Sequence, residues 1–148
     1  MARMRRILFA SDFSRASAKA FATAVTLAKA IHAEVMILHV LVPLTPLVPE
    51  QYIAGATLDQ LNAKAQRWSE QQLARLTAKA KGGGIRASGL IMTGEPSEQI
   101  VRAARTKRAD LLVLGTHGRT GLNRLFVGSV AQRVMASAPC PVVTVRGR

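Results

Sequence analysis

Glycine and hydroxyl residues gather in one stretch, Gly115-Thr116-His117-Gly118-Arg119-Thr120-Gly121, separated by six residues from Gly128-Ser129-Val130. Glycine lets backbone N–H groups approach an anion that a side chain would hold away. Gly128-Ser129 stands where an apolar-periodic segment begins. An anion there would meet unpaired N–H groups and the positive end of a helix dipole. Ser129 adds a hydroxyl, and Arg119 and Arg124 lie inside the loop, where a guanidinium can pair with a triphosphate. The chemistry this suggests is phosphate binding. The spacing matches neither G-x-x-x-x-G-K-[ST] nor G-x-G-x-x-G, and glycines serving turn geometry alone would look the same.

Other residues offer less. Asp12 follows a short apolar run and reads either as a ligand contact or as a helix cap, a role open also to Ser14. No base stands beside Ser129 in sequence, so it does not read as a nucleophile. His117 has no acid partner or nucleophile at recognisable spacing and reads as a loop histidine. His39 reads as structural and His32 as a helix-end residue, and no two histidines stand at i, i+4 to suggest a metal. Trp68 reads as core or interface rather than as a stacking platform. Cys140, between two prolines, reads as packing. As a single cysteine it excludes an internal disulfide and a cysteine-built zinc site.

The elements that must position these residues alternate in kind. Arg5–Ser11 is a short apolar run and predicts a strand. Ser14–Ile31 carries Phe21, Val25 and Ala28 at helical spacing. Glu34–Val40 is apolar almost throughout, as in a strand covered on both faces. Pro43, Pro46 and Pro49 break regular structure after it. Thr57–Lys81 predicts a long amphipathic helix ended by Gly82-Gly83-Gly84. Ile85–Met92 predicts a strand interrupted by Gly89, and Pro96 sits as the first residue of a helix reaching Lys107. Asp110–Leu114 predicts a buried strand, Phe126–Ala136 a helix and Pro141–Arg146 the last strand. The sum is β-α-β-α-β-α-β-α-β, an α/β domain over residues 1–148 with a parallel sheet and helices on both faces.

With the elements placed, a resemblance emerges. Gly115-x-x-Gly118, nine residues, then Gly128-Ser129 resembles the G-x-x-G-x9-G-[ST] signature of ATP-binding universal stress proteins. Ile7-Leu8-Phe9-Ala10-Ser11-Asp12 is similar to that family's first strand with its terminal Asp. Leu38-His39-Val40 resembles the end of its second strand, and Pro139-Cys140-Pro141-Val142-Val143 the start of its last. The resemblance covers essentially the whole chain. It implies an open five-stranded parallel sheet in the order 3-2-1-4-5, Rossmann-like and of the adenine nucleotide alpha hydrolase-like kind. Nucleotide would lie at the carboxyl ends of strands 1 and 4. Residue by residue, it implies that Asp12 contacts the ribose or a phosphate-bound Mg²⁺, with Ala10 and Ser11 lining the same corner. Val40 would meet adenine through its backbone. Gly115, Gly118, Gly128, Ser129 and Val130 would wrap the ribose and phosphates. Ala10 departs from a proline common in the family, and Leu114 from a methionine; both swaps are apolar.

Composition narrows the function classes. Lys and Arg number 21 against 8 Asp and Glu, a net +13, while 49% of residues are hydrophobic, too many for a disordered basic protein. The last third is crowded with arginines against one acid, Asp110. A solvated basic surface accounts for this more simply than a dedicated nucleic-acid face, so weak, non-specific nucleic-acid binding is expected. Aromatics at 4% argue against rows of stacking rings. No segment reaches the ~20 apolar residues of a membrane span, and the apolar stretch after MARMRR is too short for an export signal. The expectation is a soluble, cytoplasmic, nucleotide-dependent regulator with an unidentified protein partner. Its final strand, residues 142–145, would form the edge of a homodimer. A slow ATPase or phosphoryl-transfer enzyme of the same fold, and a nucleotide-free interaction module, are the alternatives.

Overall fold

The computed structural model describes residues 3–45, 55–117 and 127–147. Five strands and four helices alternate: β1 (Arg6–Ala10), α1 (Arg15–Ile31), β2 (Glu34–Leu41), α2 (Gly55–Gly82), β3 (Ala87–Thr93), α3 (Pro96–Thr106), β4 (Leu111–Gly115), α4 (Ser129–Ser137) and β5 (Val142–Val145). The strands form one sheet in the order β3-β2-β1-β4-β5, with every neighbouring pair parallel. This is the expected order.

The apolar runs divide between two layers because successive side chains of a strand point to opposite faces. Ile7, Phe9, Val35, Ile37 and Val113 pack under α1 and α2, against Phe21, Ala24, Ala28 and Leu73. Leu8, Leu38, Leu112 and Leu114 pack under α3 and α4, against Ile100, Ala103, Ala104, Ala131 and Val134. The central strands β1 and β4 are therefore buried on both faces, which requires their unbroken apolar sequence. Cys140 belongs to the second layer, and burial, helped by the charge of Asp110, pushes its thiol pKa up.

Local chemistry sets the boundaries. Ser14 caps α1, its hydroxyl accepting the Ser17 N–H at 3.1 Å, whereas Asp12 accepts from Ser14 N at 2.9 Å in the turn before the helix. His32 ends α1 at φ 56°, as its placement at a helix end anticipates. The expected interruption at Gly89 does not occur: β3 runs through it, paired with Ile37, and the glycine instead makes room for Leu73 of α2, since an added Cβ would stand 2.8 Å from Leu73 Cγ. β3 starts at Ala87 rather than Ile85, which turns into the core instead of the ladder. α4 starts at Ser129, later than the expected Phe126. Gly128 is extended there and donates its N–H to Thr116 O at 2.6 Å, and residue 126 itself lies outside the described residues.

Candidate functional site

β1 has β2 on one side and β4 on the other, and the chain leaves toward opposite edges of the sheet from these two neighbours. The loops after β1 and β4 therefore part, and a crevice opens at the carboxyl ends of the strands, where open α/β sheets take ligands. A cleft of about 590 Å³ lies there, within the ~300–1,000 Å³ common for small-molecule sites. Ala10, Ser11, Asp12, Val40, Gly115, Gly128, Ser129 and Val130 all line it. The sequence scatters these residues over some 120 positions, and the topology gathers them. Gly118 and Arg119, with Arg124, lie outside the described residues.

The Asp12 corner is tightly built. Ser11 continues the sheet by donating its N–H to Leu38 O at 2.8 Å, and its hydroxyl takes the Phe13 N–H at 3.1 Å. The Ser11 carbonyl lies 2.8 Å from His39 Nδ1. A carbonyl only accepts, so the proton of that bond sits on Nδ1. Phe13 stands in the left-handed region at φ 60°, uncommon for a bulky residue. Its ring stacks on His39 with centroids 4.2 Å apart and takes the edge of Trp68 at 5.6 Å. His39 thus holds the Ser11 carbonyl and the Phe13 ring, and it also lines the cleft. Trp68 is not core: 44% exposed, it lines the cleft and supports the Asp12 turn through Phe13.

The opposite wall is the start of α4. Among α1, α3 and α4 it alone has an N-cap that makes no side-chain hydrogen bond; Ser14 caps α1 and Glu95 caps α3. Helix geometry leaves the N–H groups of the first turn without intrahelical partners. Ser129, Val130 and Ala131, which form that turn, line the cleft. Gly128 itself is not a free donor, since its N–H is engaged by Thr116 O. Its role is close approach, for an added Cβ would stand 3.0 Å from that same oxygen. At Gly115 the corresponding distance is 3.5 Å, to His117 O, an ordinary contact.

Thr116 is the residue that sequence reasoning missed. It is buried, donates its N–H to Val145 O at 3.0 Å, and shares a 2.8 Å hydrogen bond between Oγ1 and His117 Nδ1. It ties β5, the loop and the start of α4 together. Its position directly after a glycine-terminated strand was the available signal. Pro96 and Ile100 of α3, also on the cleft, carried signals of a helix only, Pro96 as its first residue, and none of a site. Beside them Glu95 accepts from the Ser97 hydroxyl at 2.6 Å and from Glu98 N at 2.8 Å. The Ser97 hydroxyl first, then the backbone donors and Arg133, outweigh desolvation and hold the Glu95 carboxyl below its ordinary pKa.

Comparison with known proteins agrees with this architecture. The model of the Universal stress protein family matches residues 4–146. Universal stress protein MJ0531 of Methanocaldococcus jannaschii is 33% identical over 142 residues, covering 96% of this chain and 82% of that protein. Universal stress protein YxiE of Bacillus subtilis is 34% identical over 145 residues, covering 95% and 98%. The solved structure of universal stress protein UspA from Lactobacillus plantarum superposes with a TM-score of 0.86 at 26% identity, covering 99% of this chain and all of that one. Kinship along almost the full chain and a shared strand order point the same way: the protein belongs to the universal stress protein family.

Proposed function

We propose that this protein binds ATP with Mg²⁺ in the cleft and acts as a nucleotide-dependent regulator in the stress response rather than as an efficient enzyme. The observation that carries the reading is the side-chain-uncapped first turn of α4, facing Asp12 across a cleft at the switch point of the sheet. A polyphosphate answers both the unpartnered N–H groups and the helix dipole. Two universal stress proteins of the same fold, each 22% identical to this chain, were solved in complex with cAMP and with dAMP, both adenine nucleotides.

In this reading Val40 meets adenine through its backbone, with Ala10 and Ser11 at its corner. The Asp12 carboxylate takes the ribose or the phosphate-bound Mg²⁺. Gly115, Gly118, Gly128, Ser129 and Val130 surround the ribose and phosphates, and Arg119 pairs with the triphosphate. When bound, the metal supplies charge neutralisation of the phosphates. The chain's own contribution is to bind and orient. A regulatory reading is favoured over a catalytic one because phosphoryl transfer needs an oriented acceptor as well as a phosphate clamp, and no base stands beside Ser129 in sequence. Isothermal calorimetry of the wild type with ATP, ADP and AMP tests the reading. Saturable heat with ATP that depends on Mg²⁺ is expected; no heat with any of the three refutes it.

A further inference from the structure

A parallel sheet has two unlike ends, and the end opposite the cleft collects strand starts and helix ends. Arg5 and Arg86 immediately precede β1 and β3 in the sheet ladder, and both are exposed. Lys29 lies in the last turn of α1 and Lys81 in that of α2. On the other face, Lys107 and Arg108 follow α3 and lead into β4. All of these are exposed. The carboxylates at this end are already engaged: Glu34 accepts from Arg6 at 3.1 Å, and Asp110 accepts the backbone N–H groups of Arg5 and Arg6 at 2.8 and 3.0 Å.

We infer that this rim is a binding surface for the phosphate backbone of duplex nucleic acid, contacted without sequence preference. Complementing helix dipoles accounts for a cation at the end of a helix. It accounts less directly for Arg5 and Arg86, which stand before strands and belong to no helix. These cations are mounted on a hydrogen-bonded frame: Arg5 O accepts from Glu34 N and Arg86 O from Val35 N, each at 2.9 Å, and Arg6 O accepts from Asp110 N at 2.9 Å. Four neighbouring strands at about 4.8 Å spacing set the rim across on the order of 15 Å. A duplex presents about nine phosphates over that length.

The surroundings select the partner. No described Phe, Tyr or Trp is exposed at this rim; His32, at the end of α1, is a single exposed ring and makes no row of stacking platforms for a single strand. Its exposed large apolar side chains are Met4 and, on the last turn of α4, Met135, too little for the apolar face of an interfacial membrane segment. None of the four described helices projects from it to enter a groove; helices end here. Backbone contact positions a protein on a duplex but reads no bases.

The test compares two neutralised triples by fluorescence anisotropy on a labelled duplex, without nucleotide, at salt between about 50 and 200 mM. Lys29→Gln, Arg86→Gln and Lys107→Gln together should weaken binding at least tenfold. The slope of log K against log salt should become shallower by about 2.7, from three contacts at about 0.9 each. Arg15→Gln, Lys64→Gln and Arg67→Gln, which remove the same charge from α1 and α2 near the cleft end, should leave that slope unchanged. Each single variant of the first set should carry a slope change of about 0.9, which serves if the triple does not fold. Equal losses from both triples would mean that only net charge acts and would overturn the inference. So would binding to poly-glutamate or to anionic vesicles as tight as to the duplex.

Discussion

Gly128→Ala is the smallest perturbation that separates the two readings of the glycine loop. The wild-type backbone at Gly128 has φ −61° and ψ 155°, which alanine adopts without strain. On the unfolded chain, alanine would even favour folding by about 0.4–1 kcal/mol. Against this stands the added Cβ, 3.0 Å from Thr116 O, an oxygen already held at 2.6 Å by the Gly128 N–H. Neither atom is the end of a flexible side chain, so the loop or the first turn of α4 must give way by a few tenths of an ångström. Overpacking of this kind costs about 1–3 kcal/mol. The net is a loss of about 1 kcal/mol, or roughly 2–4 °C in Tm for a chain of this size. The same displacement moves the N–H groups of Ser129 and Val130. Losing one hydrogen bond to a charged phosphate costs about 1.5–3 kcal/mol, which weakens ATP binding roughly ten- to hundredfold. Gly115→Ala, whose Cβ meets only an ordinary 3.5 Å contact, is the control and should change both quantities less. Calorimetric titration and thermal melts read the two effects. Unchanged affinity and melting in Gly128→Ala, or a larger effect from Gly115→Ala, would refute the close-approach argument.

A homodimer through β5 is expected, and light scattering should give about twice the 15.9 kDa chain mass. The carbonyls of Pro141 and Val145 accept from Leu112 and Thr116, so alternate residues, Val142 and Thr144, turn their backbone groups to the open edge. Thr144→Pro should therefore shift the protein toward monomer, whereas Val143→Pro would damage the β4 ladder; a wild-type monomer at micromolar concentration would refute the dimer. Glu95→Gln should lower Tm at neutral pH by removing a charged cap. Because the folded pKa of Glu95 is depressed below its ordinary 4.5, that contribution is present above 4.5 and lost as pH falls through the folded value. The Tm difference should thus vanish in acid; a pH-independent difference would contradict it. Steady ATP hydrolysis should stay far below the ~10 s⁻¹ median of enzymes, and phosphate release at that rate, abolished in Gly128→Val, would favour the catalytic reading.

Much of this protein was legible before folding. Ile7, Phe9, Val35 and Val113 stand in runs apolar on both faces, and such runs fit only strands covered by helices on either side. Gly89 read as an interruption, whereas in the fold the strand continues through it and the missing side chain leaves room for Leu73. The spacing from Gly115 to Ser129 suggested a phosphate loop, because backbone permissiveness is a property of residue type, and its ends, Gly115 and Gly128, Ser129 and Val130, do line the cleft. What the linear chain could not display is convergence. Trp68, Ile100 and Thr116 come from three separate elements and meet at one cleft only because strand order reverses beside β1. Local periodicity carries no information about that reversal. Nor could the chain show that Gly128 keeps a carbonyl at close range with its own N–H engaged, since Thr116 reaches it only after the loop has closed. The charge is the clearest case. Summed along the sequence, the basic residues describe a diffuse excess. In the fold, parallel strands bring every strand start and helix end to one rim, so cations distant in sequence become neighbours.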